Sequence, residues 1–132
     1  EATPSYDPAA FGQASFALIA SSVAADVEDR AKALGAKPGP DLLEPITLAF
    51  VEYGRRVSGM DFARANSTMQ AIAIEIARFM VNHDVILSPT LAAPPVRLGL
   101  IDLSPDTDFA TWGRTVNGFA PFTGVYNGTG QP

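Results

Sequence analysis

Apolar residues recur along the first third of the chain with a helical period. Phe16, Ala20, Val23, Val27, Ala31 and Leu34 follow one another at spacings of three and four, so they form one stripe on a helix. Asp26, Asp29 and Lys32 fall off that stripe, on the solvent side. Asp7 is a good N-cap with Pro8 in the first helical position, and Gly35 followed by Pro38 closes the helix. The Gly/Pro-rich stretch 35–40 then reads as a linker. A shorter helix starts from Asp41 or Glu44 with Pro45, carries Leu48, Val51 and Glu52, and ends near Val57. Ser58 with Asp61 three residues on is a capping-box pattern for a third helix. Its main apolar face is Phe62, Met69, Ile72, Ile76, Phe79 and Met80, while Ile74 falls on the opposite side with Ser67 and Arg78. Apolar groups on two sides of one helix predict cover on two sides.

Beyond the third helix the pattern changes. Val85, Ile86 and Leu87 form a short continuous apolar run ended by Pro89, which predicts a strand buried on both faces. Pro94 and Pro95 prolong an extended path, and residues 97–108 look irregular. Short helices are expected over 108–116, anchored by Trp112, and over 121–127. The chain therefore reads as one region, helical over 1–82, then a strand, a proline-rich loop and an Asn-X-Thr-Gly turn over 83–132. A lone strand leaves its backbone groups unpaired, so partner strands are expected from another copy or another part of the protein.

Composition sharpens this picture. Only 17% of the 132 residues are charged while 47% are apolar, so either the outside is unusually alanine-rich or some faces pack against something outside this sequence. The net charge of −5 disfavours nucleic acid and anionic membrane surfaces as partners. No run of about 18 apolar residues suggests a transmembrane span, and no leader-like opening is seen, so a cytoplasmic location is expected. The absence of cysteine excludes disulfides and thiolate metal sites.

Candidate chemistry is sparse. His83 beside Asp84 could belong to a Ser-His-Asp set, but neighbours entering a strand point opposite ways. His83 is better read as helping the carbonyls at the end of the third helix. Asp102, Asp106 and Asp108 put three carboxylates in seven residues without the glycine and final glutamate of a calcium loop. They read as a solvated acidic loop, not a metal site. The only lysines are Lys32 and Lys37, on an outer helix face and in the linker, and neither is expected to be desolvated as a general base must be. No phosphate-binding glycine loop occurs. The Asn66 and Asn127 sequons are read as chance.

Two motifs add a family resemblance. His83 to Gly99 carries Asp84, the apolar Val85 to Leu87, Pro89-Thr90, Pro94-Pro95 and Gly99; Phe119 to Pro132 carries Phe122-Thr123 and then Asn127, Thr129, Gly130 and Pro132. In this order and spacing they resemble the late segments of the amidase signature family, and Leu43 to Thr47 is similar more loosely. The resemblance implies a C-terminal-half part of an α/β enzyme with a large mixed central sheet, this part being mainly α with one or two short strands. It implies hydrolysis of small linear amides without a cofactor, by a serine, a second serine in a cis peptide and a lysine. Those residues match nothing here, so no catalytic residue is assigned and the chain alone is expected to be inactive. Thr123, Asn127 and Thr129 are the implied substrate-binding residues, with Asn127 alternatively closing its own turn. The implied partners are the remainder of the amidase domain and the amide substrate, and the chain by itself is expected to self-associate. The alternative is a small helical module that binds a partner through its under-charged faces.

Overall fold

The computed structural model describes residues 2–101 and 108–131. Five helices occur among them: α1 (Pro8–Leu34), α2 (Pro45–Gly54), α3 (Gly59–Met80), α4 (Phe109–Phe119) and α5 (Gly124–Thr129). Their ends follow from local chemistry. Asp7 accepts the N–H groups of Ala9 and Ala10 at 2.8 and 3.1 Å, satisfying donors the first turn leaves open. At the other end Gly35 is left-handed at φ 60°, and the N–H groups of Ala36 and Gly35 return to the carbonyls of Ala31 and Lys32. That is the Schellman closure, which glycine adopts without steric cost. Ser58 and Asp61 form the expected capping box of α3. α2 starts at Pro45 with Glu44 as a cap residue whose side chain makes no capping bond.

α2 and α3 both lie on α1. α1 contains a window with mean hydropathy 1.3, long and apolar enough to cross a membrane by length and composition. In the fold it is the central helix, and it meets its neighbours through small residues. Ala20 and Ala24 approach Gly54 of α2, and Ala14 clusters with Ala65 and Met69 of α3. Of the predicted stripe, Ala20 is buried, Phe16, Val23, Val27 and Ala31 are half-buried, and Leu34 is exposed. On α3, Met69, Ile72 and Ile76 are buried as expected, whereas Phe62 and Ile74 are exposed. A second cluster joins Ile72 and Ile76 to Val125 of α5, with Tyr6, Phe11, Ile86 and Tyr126 against it. Aromatic rings of Phe16, Phe50, Tyr53, Phe109 and Trp112 bring α4 to the α1–α2 side, centroids 4.4 to 6.5 Å apart.

The fold class differs from expectation. The described residues form a small all-α fold and contain no strand, so neither the predicted short strands nor the α/β class with a large mixed sheet is found. Val85 to Leu87 forms no regular element, and among the described residues no backbone hydrogen bond pairs it with another segment. Only Ile86 turns inward, onto the Ile76–Val125 cluster, while Val85 and Leu87 are 77% and 97% exposed. An apolar run of three residues specifies a strand only when other backbone is available to accept its ladder. Most of the acidic loop from Asp102 to Asp108 lies outside the described residues; Asp108 itself caps α4 through the Thr111 N–H at 2.8 Å.

The chain exposes 9318 Å². A compact monomer of its 13.9 kDa mass would expose about 6,700 Å².

Candidate functional site

Two clefts flank residues 85–88, which run between them beside α5. The first, ≈ 730 Å³, lies among residues 2–6, the end of α3 and the start of α5, with Tyr6, Phe79, His83 and Phe122 in its walls. The second, ≈ 500 Å³, is bounded by Met80, Asp84, Val85, Ile86 and Ser88 on one side and by Thr123, Tyr126, Asn127 and Gln131 on the other. Both volumes suit a small ligand.

The second cleft brings together two of the three expected binding residues. Thr123 stands in the N-cap position of α5 but makes no capping bond with its side chain, so its hydroxyl is not consumed by the helix start. Asn127 is exposed on α5. Its backbone N–H donates to the Thr123 carbonyl oxygen at 3.2 Å, so helical bonding rather than the Asn side chain shapes this segment. Thr129 does not join them. It is two residues from Asn127, about 200° round the helix, and its hydroxyl donates to the Val125 carbonyl oxygen at 2.6 Å while touching Gln131 Oε1. Thr129 has one hydroxyl proton and gives it to Val125, so the Gln131 carboxamide is in contact with Thr129 without being fully satisfied by it.

α5 reaches this position because Gly128 lies against Phe11 and Met69. A Cβ there would meet the Phe11 ring at 2.9 Å and Met69 Sδ at 3.2 Å. Gly130, left-handed at φ 75°, ends the helix and turns Gln131 back to the cleft. The expected Asn-X-Thr-Gly turn is thus a short helix with its glycine as the stop.

His83 belongs to the first cleft, as a helix-end group. Its Nδ1 donates to the Phe79 carbonyl oxygen at 2.9 Å, and its ring stacks on Phe79 with centroids 4.0 Å apart. With Nδ1 committed in this way, His83 serves the end of α3, as expected. Burial, and after it the neighbouring Tyr126, push the Tyr6 phenol above its usual range. Lys32 and Lys37 are exposed and line neither cleft. Among the described residues, no cluster of three or more His, Cys, Asp or Glu side chains could hold a metal ion.

Asp84, Ser88, Tyr126 and Gln131 were not foreseen as cleft residues. Gln131 reaches the cleft through the left-handed Gly130 that ends α5, and the only signal for it in the sequence was the glycine before it. No family model, no curated protein and no solved structure matches this chain.

Proposed function

We propose that this chain is part of an amide hydrolase and supplies one wall of its substrate cleft, while a serine, a second serine and a lysine on another part of the enzyme perform the chemistry. The observation that carries this reading is the meeting of the two motif segments. Residues 84–88 and 123–131 are about forty positions apart in the sequence, and they face each other across one cleft. In such an enzyme the lysine acts as base, the second serine relays the proton, and backbone N–H groups hold the oxyanion. Thr123, Asn127 and Gln131 contribute neutral donors and acceptors suited to a carboxamide. The remainder of the enzyme would cover the apolar side chains left open here, which accounts for the surface excess.

The test is the complete polypeptide from the gene that encodes this chain. It should carry a Ser-Ser-Lys set in a Gly/Ser-rich stretch outside residues 1–132, and the purified product should release ammonia or amine from small linear amides. Mutating the nucleophilic serine should abolish release, and the 132-residue chain alone should give none. A gene lacking that set, with a product inert toward the amide series, overturns the proposal.

A helical partner-binding module is the second reading. It is favoured by the exposure of Val81, Val85, Leu87, Leu98 and Leu100, from 59% to fully exposed, because such a row of apolar groups is characteristic of an interaction face. Isolation of a native chain ending near residue 132, with one stable protein partner and no amidase region, would decide for it.

A further inference from the structure

We infer that the second cleft selects amides by charge, favouring a substrate whose body carries a protonated amine and disfavouring one that carries a carboxylate. The inference rests on the amide-hydrolase reading for the word substrate, but the geometry of the cleft stands independently. Among the described residues Asp84 is the only formally charged side chain in its walls; the others are Met80, Val85, Ile86 and Tyr126, which are apolar or aromatic, and the neutral polar groups of Ser88, Thr123, Asn127 and Gln131.

The two sides of the cleft have different chemistry. On the α5 side, the carboxamides of Asn127 and Gln131 match a carboxamide ligand, since each carries both donors and an acceptor. On the opposite side, the Asp84 carboxylate accepts hydrogen bonds only, and among the described residues no Lys or Arg forms an ion pair with it. A cation entering the cleft therefore meets an unshared negative charge, whereas an anion is repelled by that charge and finds only neutral donors, on Ser88, Thr123, Asn127 and Gln131, to offset it. His83 precedes Asp84 in the chain, but its ring is stacked on Phe79 and lines the other cleft. A net charge of −5 over the whole chain biases approach in the same direction.

The experiment uses the 132-residue chain, labelled with nitrogen-15, and three ligands with one ring and one carboxamide each. These are para-aminomethylbenzamide, benzamide and para-carbamoylbenzoate, which carry a positive, zero and negative charge. Amide shifts of Val85, Ser88, Asn127 and Gln131 are followed in titrations at low ionic strength. The expected order of affinity is cation, neutral, anion, with the cation favoured over benzamide by up to about five-fold, the ceiling for an exposed pair. Asp84→Asn should remove that preference, bringing the cation and benzamide to about equal affinity. In the unsubstituted chain, raised salt should shrink it in the same way, since the site is open to solvent. Equal affinities, preference for the anion, absence of binding by all three ligands, or a preference that survives Asp84→Asn would each overturn the inference. Charge-ordered binding together with a complete enzyme inert toward every amide would sink the hydrolase reading alone. Turnover by the complete enzyme without charge order would sink the selectivity alone.

Discussion

Gly54→Ala tests the packing of α2 on α1 directly. A methyl group at this position would lie 2.1 Å from the Ala20 carbonyl oxygen, 2.6 Å from its carbon and 2.9 Å from Ala24 Cβ. The first two are backbone atoms and cannot swing aside, so the helices must separate. An opening of 0.5–1 Å forfeits roughly a quarter to a half of the dispersion well of each contact it loosens. Ala20, Ala24 and Val51, all buried, lie in the region that would open. Overpacking of this kind costs about 1–3 kcal/mol. Replacing glycine by alanine in a helix interior returns up to about 1 kcal/mol, but Gly54 is the last residue of α2, so little of that gain applies. The net expectation is a loss of about 2 kcal/mol, a fall in Tm of roughly 7 °C for a chain of this size. Gly12→Ala is the matched control: it lies inside α1 with nothing within 4 Å of the added methyl, and it should raise Tm by about 3 °C. Thermal and urea unfolding followed by circular dichroism at one protein concentration measures both. A Gly54→Ala protein as stable as the parent would refute the close α1–α2 approach.

Ile76→Ala, at the one large side chain with no exposure, should cost about 2–5 kcal/mol by urea unfolding; a cost under about 1 kcal/mol would show that the α3–α5 cluster collapses around the deletion. Acid should weaken the starts of α3 and α4. The Ser58 hydroxyl and backbone N–H hold Asp61 below its ordinary 3.8, and Thr111 does the same for Asp108. These depressed carboxylates contribute stability that is full above the unfolded value and is lost as pH falls from there through the folded value. Helicity should therefore drop below about pH 4, less steeply in Asp61→Asn; an identical acid profile in that variant would count against the capping box as its source. Val85→Lys with Leu87→Lys should leave Tm nearly unchanged, because both side chains are exposed, yet reduce self-association in sedimentation; a parent chain that is already monomeric at high concentration would rule out the expected assembly.

The ends of α1 and the start of α3 were legible because each is set by neighbours in the sequence, whereas α2, α4 and α5 end elsewhere than expected. Asp7, Pro8 and Gly35 bracket α1, and Ser58 with Asp61 opens α3. The site was half legible. The motifs pointed to Thr123 and Asn127, but the helix expected over 121–127 starts later, at Gly124, and runs on through Thr129 into the stretch read as a turn. Helical periodicity turns Thr129 away, and the left-handed Gly130 brings Gln131 round. The core was misjudged wherever small residues do the packing. A hydrophobic stripe weights Phe16 and Leu34, whereas α1 is buried through Ala14, Ala20 and Ala24 opposite Ala65 and Gly54. The strand at Val85 to Leu87 failed for another reason: an apolar run records a demand for cover without recording what supplies it.

That demand can be sized. The excess over a compact monomer is about 2,600 Å², comparable to what one member of a large obligate interface buries. Exposed large apolar side chains lie on both sides of the end of α3, Leu34, Leu42, Met60 and Ile74 before it and Val81, Val85, Leu87, Leu98 and Leu100 after it, while the nine buried hydrophobic side chains among the described residues belong to α1, α2, α3 and α5. The helical part thus carries its own core, and the segment after it holds on mainly through Ile86 and the 2.9 Å bond from the Ala92 N–H to the Phe119 carbonyl oxygen. The wall of the cleft formed by residues 84–88 is therefore the less firmly anchored one, and α5, seated on Phe11 and Met69, is the fixed one. A covering surface that buries Val85 and Leu87 would hold the movable wall against the fixed wall. On this account affinity for a small amide should rise when the chain is joined to its cover, even if none of the residues that touch the ligand changes.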